Sequence, residues 1–229
     1  MLTRTQDFAS FLGLSLDEAA TCRAAARRAG DLAAGMTHER DYEALAAIAL
    51  RYKPKRIFEI GTYLGVTSDF LLQLLPSSVV VSIAYRPHWL RRLLGAPNNT
   101  DLPVGEIGRM VESVRRDRFV QIYGNSHGLT PAKLMKKYGA FDMVFVDGDH
   151  SYKGVMLDTL LARRVLSEDG VICWHDANPK PKYQSVREYL ERGLDLDVIA
   201  TEDNYVGGVA VWHKTIGNKS VKHDLLRYS

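Results

Sequence analysis

The sequence predicts an α/β fold: a three-layer α/β/α sandwich on a mostly parallel, seven-stranded sheet, with helices before it and an antiparallel hairpin at its end. Three observations predict this. Short apolar runs alternate with helical patterns from residue 56 to residue 193, as in consecutive βαβ units. Runs such as Met143-Val144-Phe145-Val146 are apolar at every position, as strands covered on both faces are. Two apolar runs near the end are joined by only a few residues, too few for a parallel crossover.

Residues 16–35 are Ala-rich and end in Gly35, a helix with a C-terminal stop. A second helix follows over 38–52, where Leu45, Ile48, Ala49 and Tyr52 share one face at i, i+3, i+4 and i+7 spacing. Strands are predicted at 56–60, 77–84, 118–124, 141–148 and 170–176, with helices at 66–75, 104–116, 130–138, 154–166 and 182–193. The runs at 197–201 and 205–213 form the hairpin. The long connection from 85 to 117 carries Pro87, Pro97, Asn98, Asn99, Pro103 and Gly105, and its 95–103 stretch reads as an exposed loop, either lying over a cleft or a plain surface insertion. These elements describe a Rossmann-like domain over 53–215, a helical extension over 1–52 that is a candidate lid or homodimer contact, and a tail over 216–229.

The 229 residues suffice for a substantial core. A net charge of +3 is too small to argue for nucleic acid, and the basic residues lack the aromatic interleaving of a single-strand binder. Arg86, Arg91, Arg92, Arg115, Arg116, Arg118, Lys133, Lys136 and Lys137 read mainly as solvated faces. Two separated cysteines, Cys22 and Cys173, make neither a zinc site nor a disulfide framework, so a reducing, cytoplasmic setting is expected. No signal peptide or membrane span is read.

Chemistry gathers at three strand ends. After the first strand of the sheet comes Glu59-Ile-Gly61-Thr62-Tyr63-Leu-Gly65-Val-Thr67-Ser68. Gly61 and Gly65 suit a sharp turn or a close ligand, and Thr67 or Ser68 is a candidate cap for the next helix. The dinucleotide and P-loop fingerprints are absent. After the fourth and fifth strands come Asp147-Gly-Asp149-His150-Ser-Tyr and Trp-His175-Asp176-Ala-Asn. Parallel neighbours lie ~4.8 Å apart and end on one edge, where ligands of open α/β sheets bind. Asp147, Asp149 or His150 is therefore expected to meet His175 or Asp176, either to hold a divalent cation or to let a histidine take a proton from a hydroxyl.

The first of these segments, Phe58 to Ser68, resembles motif I of class I S-adenosylmethionine (SAM)-dependent methyltransferases, especially the EIGxxxGxS form of catechol- and caffeoyl-CoA-type O-methyltransferases, with the serine one place late. Residues 141–176 resemble the methyltransferase-24-like, small-molecule O-methyltransferase group, with its DGDHSY loop and later HD pair. The likeness spans roughly residues 53–213. It implies SAM as cofactor, a small hydroxylated acceptor such as a sugar or natural-product intermediate, and an optional Mg²⁺ or other divalent cation. By position it implies SAM contacts at Glu59, Gly61, Thr62, Tyr63, Gly65, Asn125, Ser126 and Asp147. It likewise implies His150 as general base beside Asp147, and metal ligands at Asp147, His175 and Asp176. His175 stands where related metal-dependent enzymes have a carboxylate.

Two departures leave alternatives open. Ala84 stands where an acidic residue usually binds the ribose of SAM, and an alanine side chain accepts no hydrogen bond. Tyr123-Gly-Asn125-Ser126 replaces a Gly-Asp pattern near the adenine. A metal-dependent hydroxylase- or hydrolase-like enzyme on the same scaffold, or a non-catalytic module that lost the cofactor, is each compatible with these residues.

Overall fold

The computed structural model describes residues 2–33, 37–85, 102–178, 183–202 and 205–216. Gly35, Arg86, Arg91, Arg92, most of the 95–103 loop and nearly all of the 216–229 tail lie outside the described residues.

The strands are β1 (Leu2–Thr5), β2 (Arg56–Ile60), β3 (Val79–Ala84), β4 (Phe119–Tyr123), β5 (Phe141–Val146), β6 (Leu166–His175), β7 (Val198–Thr201) and β8 (Val209–Trp212). The helices are α1 (Phe8–Phe11), α2 (Leu16–Ala33), α3 (Glu39–Tyr52), α4 (Val66–Leu74), α5 (Pro131–Tyr138), α6 (Tyr152–Val165) and α7 (Gln184–Glu188), the last running on into a wide turn over Tyr189–Gly193. The sheet order is β1-β7-β8-β6-β5-β2-β3-β4, and only β8 runs against the rest. The seven expected strands are present, together with an eighth. β1 lies parallel to β7 at the edge, with Leu2 opposite Val198. Four half-exposed residues at a polar chain start give too short a pattern to be read as a strand.

Alternate residues of each strand feed opposite cores. Ile57, Val80, Met143, Phe145, Val171 and Cys173 pack with α1–α4. Phe58, Val81, Val144, Val146, Ile172 and Trp174 pack with α5–α7. This period-2 division is what makes three layers. It also unites segments that the sequence divides at residue 52, because Cys22, Ala26, Leu45 and Ile48 share a core with β5 and β6.

Three local expectations change. The helix after the glycine turn begins at Val66, and its N-cap is Gly65 in the left-handed region (φ 85°), so neither Thr67 nor Ser68 caps it. The predicted helix at 104–116 is instead a run of turns and a 3₁₀ segment over Ser113–Arg118. Its own backbone bonds are tight turns, such as Glu106 N–H to the Pro103 carbonyl, while the Gly108 and Met110 N–H groups donate to the Tyr63 and Leu64 carbonyls (both 2.9 Å) and stitch the segment to the glycine turn. Two of the arginines there, Arg115 and Arg118, do not form the solvated face expected of them, whereas Arg116 is exposed. Arg115 grips Asp69 with two bonds of 2.8 Å, and Arg118 donates to the carbonyls of Leu72, Leu75 and Ser78 at the end of α4. Both cysteines are free and buried. No helix among the described residues is long and apolar enough to cross a membrane.

Candidate active site

β2, β5 and β6 are adjacent and parallel, so the turns after Ile60, Val146 and His175 open on one edge. Gly61 has φ 108°, and a Cβ there would overlap the Asp147 carbonyl. The Asp147 N–H donates to the Ile60 carbonyl at 2.9 Å. The glycine turn and the acidic loop are thereby packed backbone to backbone, which only a residue without a side chain permits.

Glu59 lies beneath this turn, 1% exposed. One carboxylate oxygen accepts from the Ser68 and Ser82 hydroxyls. The other, Oε1, is buried with no hydrogen-bond partner. Burial pushes this carboxyl up to about 7 against the lowering effect of the two serines. Thr62 is buried and bonds to Ser82 (2.7 Å) and to the Gln121 amide (2.9 Å). Tyr63 is exposed and left-handed (φ 44°), at the mouth of the turn.

The cluster expected across β5 and β6 forms. His150 Nε2 stands 3.1 Å from Asp176 Oδ2 and 3.5 Å from Asp147 Oδ1. His175 Nδ1 stands 3.2 Å from Asp147 Oδ1 and 3.7 Å from Asp176 Oδ2. Asp149 does not join; its carboxylate accepts the Ser151 N–H in a local turn. Tyr183 stacks on the His150 ring with centroids 3.9 Å apart. Asp176 is left-handed (φ 60°), the kind of backbone strain that collects at functional sites.

The four charged groups set one another. Burial opposes the charge on His150, but hydrogen bonds and charge from Asp147 and Asp176 outweigh it and push the imidazole up to about 9. His175 is raised well above its usual value in the same way, against its burial, chiefly by the Asp147 charge. Burial works against both carboxylates, yet the two histidines hold Asp147 and Asp176 below the usual range.

One ligand atom each from Asp147, His175 and Asp176 falls within 4.8 Å of the others, close enough to share one cation. Asp176 Oδ2 is buried with no aligned hydrogen-bond donor, although both imidazoles are nearby. Two carboxylate oxygens and an imidazole nitrogen so placed form a donor set that suits a divalent cation, which would take the place of the protonated imidazoles beside Asp176.

After β4, the edge strand two places from β2, Asn125 caps a short turn by accepting the His127 N–H. The Ser126 hydroxyl donates to Asp158 at 2.6 Å. Ala84 ends β3 and is buried, and no acid stands there. Sequence reasoning missed Asp41, which is 2% exposed. Its Oδ2 lies 3.1 Å from His175 Nε2, and its Oδ1 accepts from the Tyr205 hydroxyl (2.7 Å) and the Gly208 N–H (2.8 Å). In the sequence it is only the acid of a capping box with His38 at the start of α3. Tyr183 was missed as well, having no signal beyond its aromaticity.

The sheet order and this edge define an α/β protein whose polar loops gather where the parallel strands end, the place at which ligands of open α/β sheets bind. A methyltransferase-domain family model matches residues 58–177, more than half of the chain. The chain belongs to this methyltransferase-domain family. Solved structures share its fold. One is the O-methyltransferase TomG from Streptomyces achromogenes, involved in tomaymycin synthesis and solved with SAM; it is 21% identical, with 89% of this chain and 93% of that one covered and a TM-score of 0.53. Another is the SAH-bound methyltransferase PaMTH1 from Podospora anserina, 19% identical over 87% of this chain and 88% of that one, with a TM-score of 0.53. At these identities the likeness speaks for fold. No curated protein matches the sequence.

Proposed function

We propose that the chain is a SAM-dependent methyltransferase that methylates a hydroxyl of a small molecule, aided by a divalent cation. The observation that carries this reading is the meeting of the Gly61 turn with Asp147, His150, His175 and Asp176 on one sheet edge of a chain from a methyltransferase-domain family.

In this reading the Gly61–Gly65 turn holds the amino-acid end of SAM, with Thr62 and Tyr63 in the turn and Glu59 supporting it from beneath. Asn125 and Ser126 flank the adenine, and Asp147 faces both cofactor and acceptor. The acceptor oxygen attacks the sulfonium methyl in line; the C–S bond breaks, SAH leaves, and the hydroxyl proton passes to His150 Nε2. Asp147 and Asp176 hold His150 protonated when they face it alone. A cation on Asp147, His175 and Asp176 would lower the acceptor hydroxyl's pKa and engage the carboxylates that charge His150. Tyr183, stacked on the ring, keeps Nε2 aimed into the site.

Ala84 favours a second reading, a methyltransferase-like module without catalysis, because the ribose loses its usual acceptor. Calorimetric titration with SAM and SAH, with and without divalent cation, decides between them. Micromolar binding that Asp147→Ala weakens supports the methyltransferase. Absence of binding to both ligands overturns it.

A further inference from the structure

Asp41 comes from α3, outside the matched residues 58–177, yet it touches the site. Four contacts fix its carboxylate, one of them the His38 N–H, which donates to Oδ2 at 3.4 Å. Oδ1 receives the Tyr205 hydroxyl and the Gly208 N–H, and Oδ2 faces His175 Nε2 at 3.1 Å. Gly207 packs so closely that a Cβ there would overlap the carboxylate. Neither partner of the His175–Asp41 contact is as much as a tenth exposed.

A carboxylate oxygen can only accept, so Asp41 assigns the proton of a neutral His175 to Nε2 and leaves the lone pair on Nδ1. Nδ1 is the atom that faces Asp147 Oδ1 and Asp176 Oδ2. Asp147, His175 and Asp176 each offer one ligand atom within 4.8 Å of the others. A carboxylate behind a histidine whose other nitrogen faces ligand oxygens is the outer arrangement of imidazole metal sites. Imidazole nitrogen suits first-row transition-metal dications, whereas Mg²⁺ takes oxygen ligands.

We propose that Asp41 is a positioning residue that presents His175 Nδ1 as a metal ligand, and that the site thereby selects a transition-metal dication over Mg²⁺. This rests on the reading above that Asp147, His175 and Asp176 share a cation. It brings the N-terminal helices into the site and assigns a consequence to His175 in place of a carboxylate.

The test uses the full chain, freed of metal by chelation and titrated separately with Co²⁺ and Mg²⁺, with the visible absorption of bound Co²⁺ recorded. Wild type is expected to bind Co²⁺ at least tenfold more tightly than Mg²⁺. Asp41→Asn is expected to weaken Co²⁺ by about 10- to 100-fold, to weaken Mg²⁺ less, and to shift the Co²⁺ bands. Tyr205→Phe removes one of the bonds that hold Asp41 and disturbs the fold less; it is expected to weaken Co²⁺ by a few-fold. Equal affinity for the two metals in wild type, or unchanged Co²⁺ affinity in either variant, overturns the proposal. SAM titration of the same preparations separates the two readings. SAM binding without Co²⁺ selectivity sinks this inference alone, and Co²⁺ selectivity without SAM binding sinks the methyltransferase reading alone.

Discussion

Replacing Glu59 by glutamine should make the protein's stability less sensitive to alkali. The carboxyl is fully buried and titrates at about 7 in the fold against 4.5 for the ordinary side chain. Between these values the folded state binds more protons than the unfolded one, so stability falls as pH rises and is level above the folded value. The 2.5-unit difference corresponds to roughly 3 kcal/mol at full ionisation, of which about 2–3 kcal/mol develops between pH 5 and pH 8. Glutamine keeps the shape and never ionises. Its altered bonds to Ser68 and Ser82 add an offset that is constant with pH, and the other titrating groups are common to both proteins and cancel. The assay is urea unfolding of wild type and Glu59→Gln at pH 5, 6, 7 and 8. The stability difference should move in favour of glutamine by about 2–3 kcal/mol across that range. Two parallel curves, or a gap that moves toward glutamate as pH rises, would refute the account of Glu59 as a buried acid that folding forces toward its neutral form.

Other outcomes follow from the site. Gly61→Ala should destabilise the fold by about 2–4 kcal/mol, since the new Cβ meets the Asp147 carbonyl in a left-handed backbone; it should also abolish SAM binding, and a melt and SAM titration equal to wild type would show the turn to be slack. His150→Ala should lower kcat by about 10²–10⁴ while SAM affinity stays within a few-fold, measured by single-turnover methyl transfer; an unchanged kcat would remove His150 from the proton path.

The parallel character of β2 to β6 and the terminal hairpin were legible because each depends on local patterns: period-2 or continuous apolar runs, helical spacing and short links. The meeting of Asp147 and His150 with His175 and Asp176 was legible for the same reason, since parallel neighbours must end together. The 104–116 stretch differs from the expected helix because two of its N–H groups, those of Gly108 and Met110, bond to Tyr63 and Leu64, about 45 residues back, and local spacing carries no trace of that.

Sequence by itself therefore determined the scaffold, the edge on which chemistry gathers and most of the residues there. Tertiary structure alone decided how those residues are held. Asp41 reaches His175 across 134 positions of chain, and Ser82 on β3 completes the hydrogen bonds to Glu59 on β2. Arg115 is spent on Asp69 and does not face solvent. β1 joins the far edge through pairing with β7, nearly 200 residues away. The physical reason is that periodicity reports which face of an element is buried, whereas the partner of a buried polar group is fixed only once distant elements pack and every desolvated donor and acceptor must find a mate.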